Sequence, residues 1–218
     1  MSKPRIVVTR EVFDETLDFL GKQCDVAANQ DDVALSTVEI AQRLQNAQAL
    51  MCSLTDRVDA DLIAQCPDLR VVANIAVGYN NIDVAACTAR GILVTNTPGV
   101  LDDSTADLAW TLMLATARRL TEVEANIRNG EWTGWKLKQW LGVDVHHATL
   151  GIIGMGRIGQ AIARRAGGFD MRVLYHNRKR LDAAIEKRLN AAYVSQDELL
   201  ARADFIVLQM PYSKETHH

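Results

Sequence analysis

Residues 149–159 read Thr-Leu-Gly-Ile-Ile-Gly-Met-Gly-Arg-Ile-Gly, a GxGxxG element with an apolar run before it and a helical Ala161-Ile162-Ala163 run after it. Each glycine has a physical job beside a dinucleotide. Gly154 permits a tight turn, Gly156 removes the Cβ that would block a pyrophosphate, and Gly159 lets helix and strand pack closely. The helix that opens here offers unpaired N–H groups and the positive end of its dipole to the phosphates. A lone GxGxxG is weak, but the flanking strands and helix complete a βαβ unit. The candidate cofactor-binding set of this loop is Gly154, Met155, Gly156, Arg157, Ile158 and Gly159.

The following strand ends in Tyr175-His176-Asn177-Arg178-Lys179-Arg180, with the next carboxylate at Asp182. An NAD site places Asp or Glu at this strand end to take the ribose 2′-OH. A carboxylate would repel a 2′-phosphate, whereas Arg178 and Arg180 could clamp one with charge-assisted hydrogen bonds. With Asn177 this segment predicts NADP(H) preference, NAD(H) use staying open; a solvated basic loop is the bland alternative. A later strand, Phe205-Ile206-Val207-Leu208, runs into Gln209-Met210-Pro211. In doubly wound sheets ligands sit beyond the carboxyl ends of the strands, which puts Met210, Pro211 and Thr216 near the cofactor unless this is a plain connecting loop.

The elements that must position these residues alternate throughout. Strands are predicted at 6–8, 49–52, 70–75 and 92–95. Helices are predicted at 11–20, from the Ser36-Thr37-Val38-Glu39 capping box to about Leu44, from Asp59 or Asp61, and from Asp83 to Gly91. This is the pattern of a parallel sheet covered on both faces. Residues 103–128 hold no Gly or Pro and predict one helix about 37 Å long. It is either a crossover between domains or an ordinary core helix. After a loop bearing Trp132, Trp135 and Trp140, a second alternating unit places strands at 150–153, 172–175, 191–194 and 205–208. Its helices start at Arg157, at Leu181 and at the Ser195-Gln196-Asp197-Glu198 capping box.

The 218 residues are 48% hydrophobic and 23% charged, which fits a globular chain. Twenty-four Lys+Arg against 27 Asp+Glu leave a net charge of −3, so no global basic field exists to hold nucleic acid or anionic lipid. No window approaches the roughly 20 apolar residues of a membrane span, and the N-terminal apolar run is too short for a signal peptide. Cys24, Cys52, Cys66 and Cys87 lack metal-ligand spacing and read as buried or semi-buried thiols in a reducing compartment. A cytoplasmic protein without a metal site is expected.

With these residues in view, the chain resembles the D-isomer-specific 2-hydroxyacid dehydrogenases, within them the glyoxylate/hydroxypyruvate reductase and 2-ketogluconate (2-ketoaldonate) reductase branch. The resemblance is carried by residues 77–83 (VGYNNID), 94–101 (VTNTPGVL) and 105–109 (TADLA), the glycine loop with Gln160, residues 177–180 (NRKR) and the stretch 211–218. It implies an α/β subunit of two Rossmann-like, doubly wound parallel-sheet domains. Residues 1–100 would form the N-terminal part of a discontinuous substrate domain, and 101–218 an NADP(H)-binding domain incomplete at its C-terminal end. The backbone amides of Val77 and Gly78 are implied to hold the substrate carboxylate, with Leu54 lining the pocket and Thr105 approaching the nicotinamide. The alternative for 77–83 is a turn followed by a helix cap, which Asp83 would serve in either case. The tryptophan loop is implied to lie at a homodimer interface, core packing being the alternative.

Reduction of a 2-keto acid needs a cation to polarise the substrate and an acid to protonate the new alkoxide. The family's Arg, Glu and His for these roles come, by family order, later than His218, so no catalytic residue is expected in the chain. His146, His147, His176, His217 and His218 are not substitutes: the first two lie on an approach loop, His176 belongs to the cofactor pocket, and the last two begin a helix. A strand order of 3-2-1-4-5-6 would leave 205–208 as a bare apolar edge, so the chain is expected to run roughly 100 residues further. The implied activity is NADPH-dependent reduction of glyoxylate, hydroxypyruvate or 2-ketogluconate to the D-2-hydroxy acid. Alternatives are a dinucleotide-sensing module like the corepressors of this fold, or an NAD-dependent relative such as a phosphoglycerate dehydrogenase.

Overall fold

A computed structural model describes residues 3–213 and 216. His217 and His218, expected to begin a helix, lie outside the described residues, as do Met1, Ser2, Lys214 and Glu215. The chain divides into two compact units, Met1–Val100 and Leu101–His218.

The first unit contains β1 (Arg5–Val8), α1 (Asp14–Gly21), β2 (Asp25–Ala28), α2 (Thr37–Arg43), β3 (Ala49–Cys52), α3 (Ala60–Ala64), β4 (Val71–Asn74), α4 (Val84–Ala89) and β5 (Leu93–Thr95). The strands pair in the order β2-β1-β3-β4-β5, all parallel. The register aligns Val7 with Leu50 and Leu50 with Val72, three fully buried side chains that run across the sheet as the centre of its core. Helix starts follow their caps: Ser36 and Glu39 form the reciprocal capping box, and Asp59 and Asp83 accept the N–H groups of Leu62 and Ala86. Gly91, at φ +68°, stands just beyond α4. Burial pushes the Cys52 thiol up to about 12 and raises those of Cys66 and Cys87.

Two differences from the sequence pattern have physical causes. The first helix opens at Asp14 rather than at residue 11, because the Gln30 side chain binds both the N–H and the carbonyl of Val12 and holds that stretch out of the helix. Strand β2 has little β-branched character, since its sequence is Asp-Val-Ala-Ala, and it becomes a strand through pairing with β1.

The second unit contains α5 (Asp102–Ala117), α6 (Leu120–Arg128), β6 (Thr149–Ile153), α7 (Arg157–Ala166), β7 (Arg172–His176), α8 (Ala183–Leu189), β8 (Ala191–Tyr193), α9 (Gln196–Arg202) and β9 (Phe205–Leu208). Its parallel sheet runs β8-β7-β6-β9, the 3-2-1-4 arrangement of the nucleotide fold. The expected single helix over 103–128 is two helices. Arg119 adopts a left-handed conformation (φ 54°), and the Val143 N–H takes the Ala117 carbonyl that a continuous helix would offer to residue 121. A Cβ on Gly142 would lie 2.3 Å from that carbonyl, so residues 142–143 press directly on the break. The Ser195 cap is one-sided: its hydroxyl accepts the Glu198 N–H, while the Glu198 carboxylate pairs with Arg202.

Helix α5 buries Ala106, Trp110, Met113 and Ala117, and the Trp110 indole N–H donates to the Ile162 carbonyl at 3.1 Å while its ring stacks on Phe169. Strand β9 is an edge with Ile206 and Leu208 exposed. Among the described residues no helix is long and apolar enough to cross a membrane. Helix α9 packs on β6 where a Cβ at Gly151 would meet Leu199 at 2.7 Å and the Ala203 Cβ at 2.8 Å. Gly151→Ala should therefore lower stability by about 1–3 kcal/mol. Urea unfolding should show an earlier midpoint at unchanged slope, and an unmoved midpoint would mean that α9 yields freely.

Candidate functional site

The three glycines of the loop after β6 are required for different reasons. Gly154 has φ +101°, and a Cβ there would lie 2.5 Å from the Gln209 carbonyl and 2.7 Å from the Met210 nitrogen. The turn is thus pressed against the chain leaving β9, and the Gly154 N–H is anchored on the His176 carbonyl at 3.0 Å. A Cβ on Gly159 would lie 2.4 Å from the Gly154 carbonyl, so the third glycine lets α7 close on the turn. Gly156 is unlike both. Its φ of −77° suits any residue, and a Cβ there would meet nothing within 4 Å. The protein's own packing does not demand a glycine at this position, and the space over it is open to a ligand.

Gly156 is also the N-cap of α7, and no side chain caps this helix. The Gln160 N–H donates to the Gly156 carbonyl, so the N–H groups of Arg157, Ile158 and Gly159 lie ahead of the first intrahelical bond. The first turn carries no acidic residue. Bare donors, the positive dipole end and open space over Gly156 together fit a pyrophosphate. Met155 is turned the other way. Its side chain is buried in the core with Leu150 and Ile162, and its N–H donates to Asn177 Oδ1 at 2.6 Å. Met155 and the Asn177 amide, both in the candidate cofactor-binding set, shape the loop from inside. His176, placed in the cofactor pocket by the sequence, sets its Nδ1 2.9 Å from the Val194 carbonyl and stacks on Tyr193.

The two arginines beyond β7 also differ. Arg178 is exposed and has no ion-pair or hydrogen-bond partner among the described residues. Arg180 donates from Nε and Nη2 to the two Glu186 carboxylate oxygens, both at 2.8 Å. Glu186 is buried and also accepts the Tyr175 hydroxyl at 2.6 Å. The guanidinium and the hydroxyl hold the Glu186 carboxyl down at about 2, while burial and Glu186 push Tyr175 up to about 12. A depressed carboxyl means that the pair's stabilisation is present above the ordinary carboxylate range and lost as pH falls through about 2. Of the two arginines expected to clamp a phosphate, Arg178 thus has no partner among the described residues, while Arg180 is held by Glu186. Sequence reading stopped at Asp182 and missed Glu186 because the carboxylate reaches back from the following helix.

At the end of β9, Met210 and Pro211 are exposed. The Thr216 hydroxyl is engaged within its own turn, 3.2 Å from the Pro211 carbonyl and accepting the Ser213 N–H at 2.7 Å. Thr105, in the first turns of α5, lines a groove of about 430 Å³ against β9 together with Leu108, Leu112, Ile206 and Leu208.

In the first unit the predicted substrate residues come together beyond the carboxyl ends of β3 and β4. Asn74 Nδ2 donates to the Gly78 carbonyl and Asn96 Nδ2 to the Val77 carbonyl, each at 2.8 Å. Asn81 Nδ2 donates to the Ser53 and Asp56 carbonyls at 3.0 Å. With both carbonyls engaged, the Val77 and Gly78 N–H groups have no protein acceptor among the described residues. A Cβ on Gly78 would stand 3.8 Å from the Leu54 side chain, itself largely exposed. Two free amide donors beside one aliphatic wall suit a small carboxylate. The positioning asparagines were not picked out as such by sequence reading; polar residues at strand ends were the available signal.

The family profile "D-isomer specific 2-hydroxyacid dehydrogenase, NAD binding domain" matches residues 110–218, half of the chain and all of the glycine loop. The chain belongs to the D-isomer specific 2-hydroxyacid dehydrogenase family. Among the family's curated members it is 44% identical to the glyoxylate reductase of Thermococcus onnurineus over 99% of its length and 66% of that protein. It is 46% identical to that of Aeropyrum pernix over its whole length, again 66% of the relative. The crystal structure of a glyoxylate reductase from Paecilomyes thermophila superposes with a TM-score of 0.86 at 31% identity, over 100% of this chain and 68% of that one. The chain thus spans about two-thirds of these relatives. Among the described residues no three His, Cys, Asp or Glu side chains cluster as metal ligands.

The geometry separates packing from binding at Gly156. Gly156→Ser supplies a favoured helix cap, so thermal stability should hold or rise slightly while the hydroxyl occupies the donors and the open space. NADPH affinity should fall about tenfold or more by calorimetric titration; unchanged affinity would remove the pyrophosphate from this loop.

Proposed function

We propose that the whole protein reduces small 2-keto acids, glyoxylate foremost with hydroxypyruvate and 2-ketogluconate beside it, to D-2-hydroxy acids with NADPH. The observation that carries this reading is the open space over Gly156 at the uncapped start of α7, with the unpartnered Arg178 at the end of the neighbouring strand. The glyoxylate reductase identity of the relatives supports the substrate class.

Bound there, the dinucleotide would supply the hydride. The N–H groups of Arg157, Ile158 and Gly159 hold its pyrophosphate, and Arg178 binds the 2′-phosphate. Thr105 approaches the nicotinamide side, and Met210, Pro211 and Thr216 lie near the cofactor. In the first unit, a substrate domain in this reading, the amides of Val77 and Gly78 take the substrate carboxylate and fix its orientation. Leu54 packs on the short carbon chain and excludes water from it. The exposed Trp132 and Trp135 belong to a homodimer interface. The protein works in the cytoplasm.

The nicotinamide absorbance followed with each of the three keto acids and each cofactor tests the reading. Arg178→Ala should raise KM for NADPH about tenfold or more and leave that for NADH within about twofold. If the whole protein oxidises NADPH with none of the three acids, the assignment fails; if Arg178→Ala leaves KM for NADPH unchanged, its cofactor preference fails.

A further inference from the structure

The segment 177–181 is pinned at all but two positions. Asn177 is held through its side chain by the Met155 N–H and through its carbonyl, which accepts the Tyr193 hydroxyl at 3.2 Å. Leu181 donates its N–H to the Tyr175 oxygen at 2.9 Å. Arg180 is gripped at Nε and Nη2 by Glu186, with its Cζ 5.9 Å from the centre of the Tyr193 ring. Arg178 and Lys179 alone in this stretch are exposed without a partner among the described residues.

Glu186 is the unexpected member of this arrangement. It is 8% exposed, yet it stands beneath a basic loop suited to an anion. A buried carboxylate is no better for stability than a well-packed apolar side chain of similar volume. What it adds is direction, because two parallel hydrogen bonds fix the plane of a guanidinium. With Nε and Nη2 taken, Nη1 is the arm of Arg180 left without an acceptor among the described residues. Tyr175, fully buried, fixes the carboxylate from the other side.

The geometry points to Glu186 as a positioning residue for cofactor selection: it holds Arg180 so that the free Nη1 edge joins Arg178 as a second, preset donor to the 2′-phosphate. This rests on the NADPH reading above. Preset donors lose less freedom on binding than mobile ones, so the tether favours NADPH and is indifferent to NADH, which has no phosphate to meet.

Calorimetric titration of the protein with NADPH and with NADH separates this from a merely structural role. Glu186→Gln should weaken NADPH binding about fivefold or more and leave NADH within about twofold. Arg180→Ala should show the same selective loss, and the double variant should be no worse than Arg180→Ala alone, because Glu186 acts only through Arg180. Tyr175→Phe keeps the ion pair and removes one tether; its smaller but still NADPH-selective loss carries the test if Glu186→Gln does not fold. Equal weakening of both cofactors, tighter NADPH binding by Glu186→Gln, or additive losses in the double variant would each overturn the inference. Wild-type protein that binds NADH as tightly as NADPH would overturn the cofactor reading and this inference together. Wild-type preference for NADPH that none of these variants alters would overturn this inference alone.

Discussion

Helix α7 begins with donors and no acceptor. Its N-cap is a glycine, no side chain reaches its first N–H groups, and the turn before it is folded so tightly that a Cβ at Gly154 or Gly159 would overlap backbone atoms. Unsatisfied N–H groups at a helix start need a cap, water or a ligand. The loop is therefore rigid where it supports itself and bare where it faces outward. The buried Met155 and the Asn177 bond reinforce that division by taking the intervening residue into the core.

The first unit repeats the logic without a helix dipole. Asn74 and Asn96 bind the carbonyls of Gly78 and Val77, so the peptide units of this turn are fixed with their N–H groups available. Beneath it, the buried Asp56 accepts the Thr9 hydroxyl at 2.6 Å and the Ser53 N–H at 2.8 Å, linking the ends of β1 and β3. Buried polar groups that are fully paired in this way hold a loop in one conformation. In both units backbone N–H groups are left available at a turn whose supporting side chains stand behind it.

What was legible in the sequence was local. The GxGxxG spacing, the Ser36 capping box, the Asp83 cap and the apolar runs at β3, β6 and β9 each state their conformation within a few residues, and each appears in the structure. What escaped depended on partners distant along the chain. The break after α5 has no Gly or Pro to announce it and is made by Val143, which takes the Ala117 carbonyl. Strand β2 owes its conformation to β1. Arg180 and Glu186 look like surface charges on a linear reading; only the return of α8 across β7 buries one of them against Tyr175. The glycines could thus be assigned roles from spacing alone, while the division of labour between Arg178 and Arg180 could not.

The most direct test of the uncapped helix as the phosphate site is the response of its own amides. In protein labelled with ¹⁵N and titrated with NADPH, the resonances of Arg157, Ile158 and Gly159 should move furthest and saturate together. Saturable binding that leaves these three amides in place while resonances elsewhere shift would contradict the account.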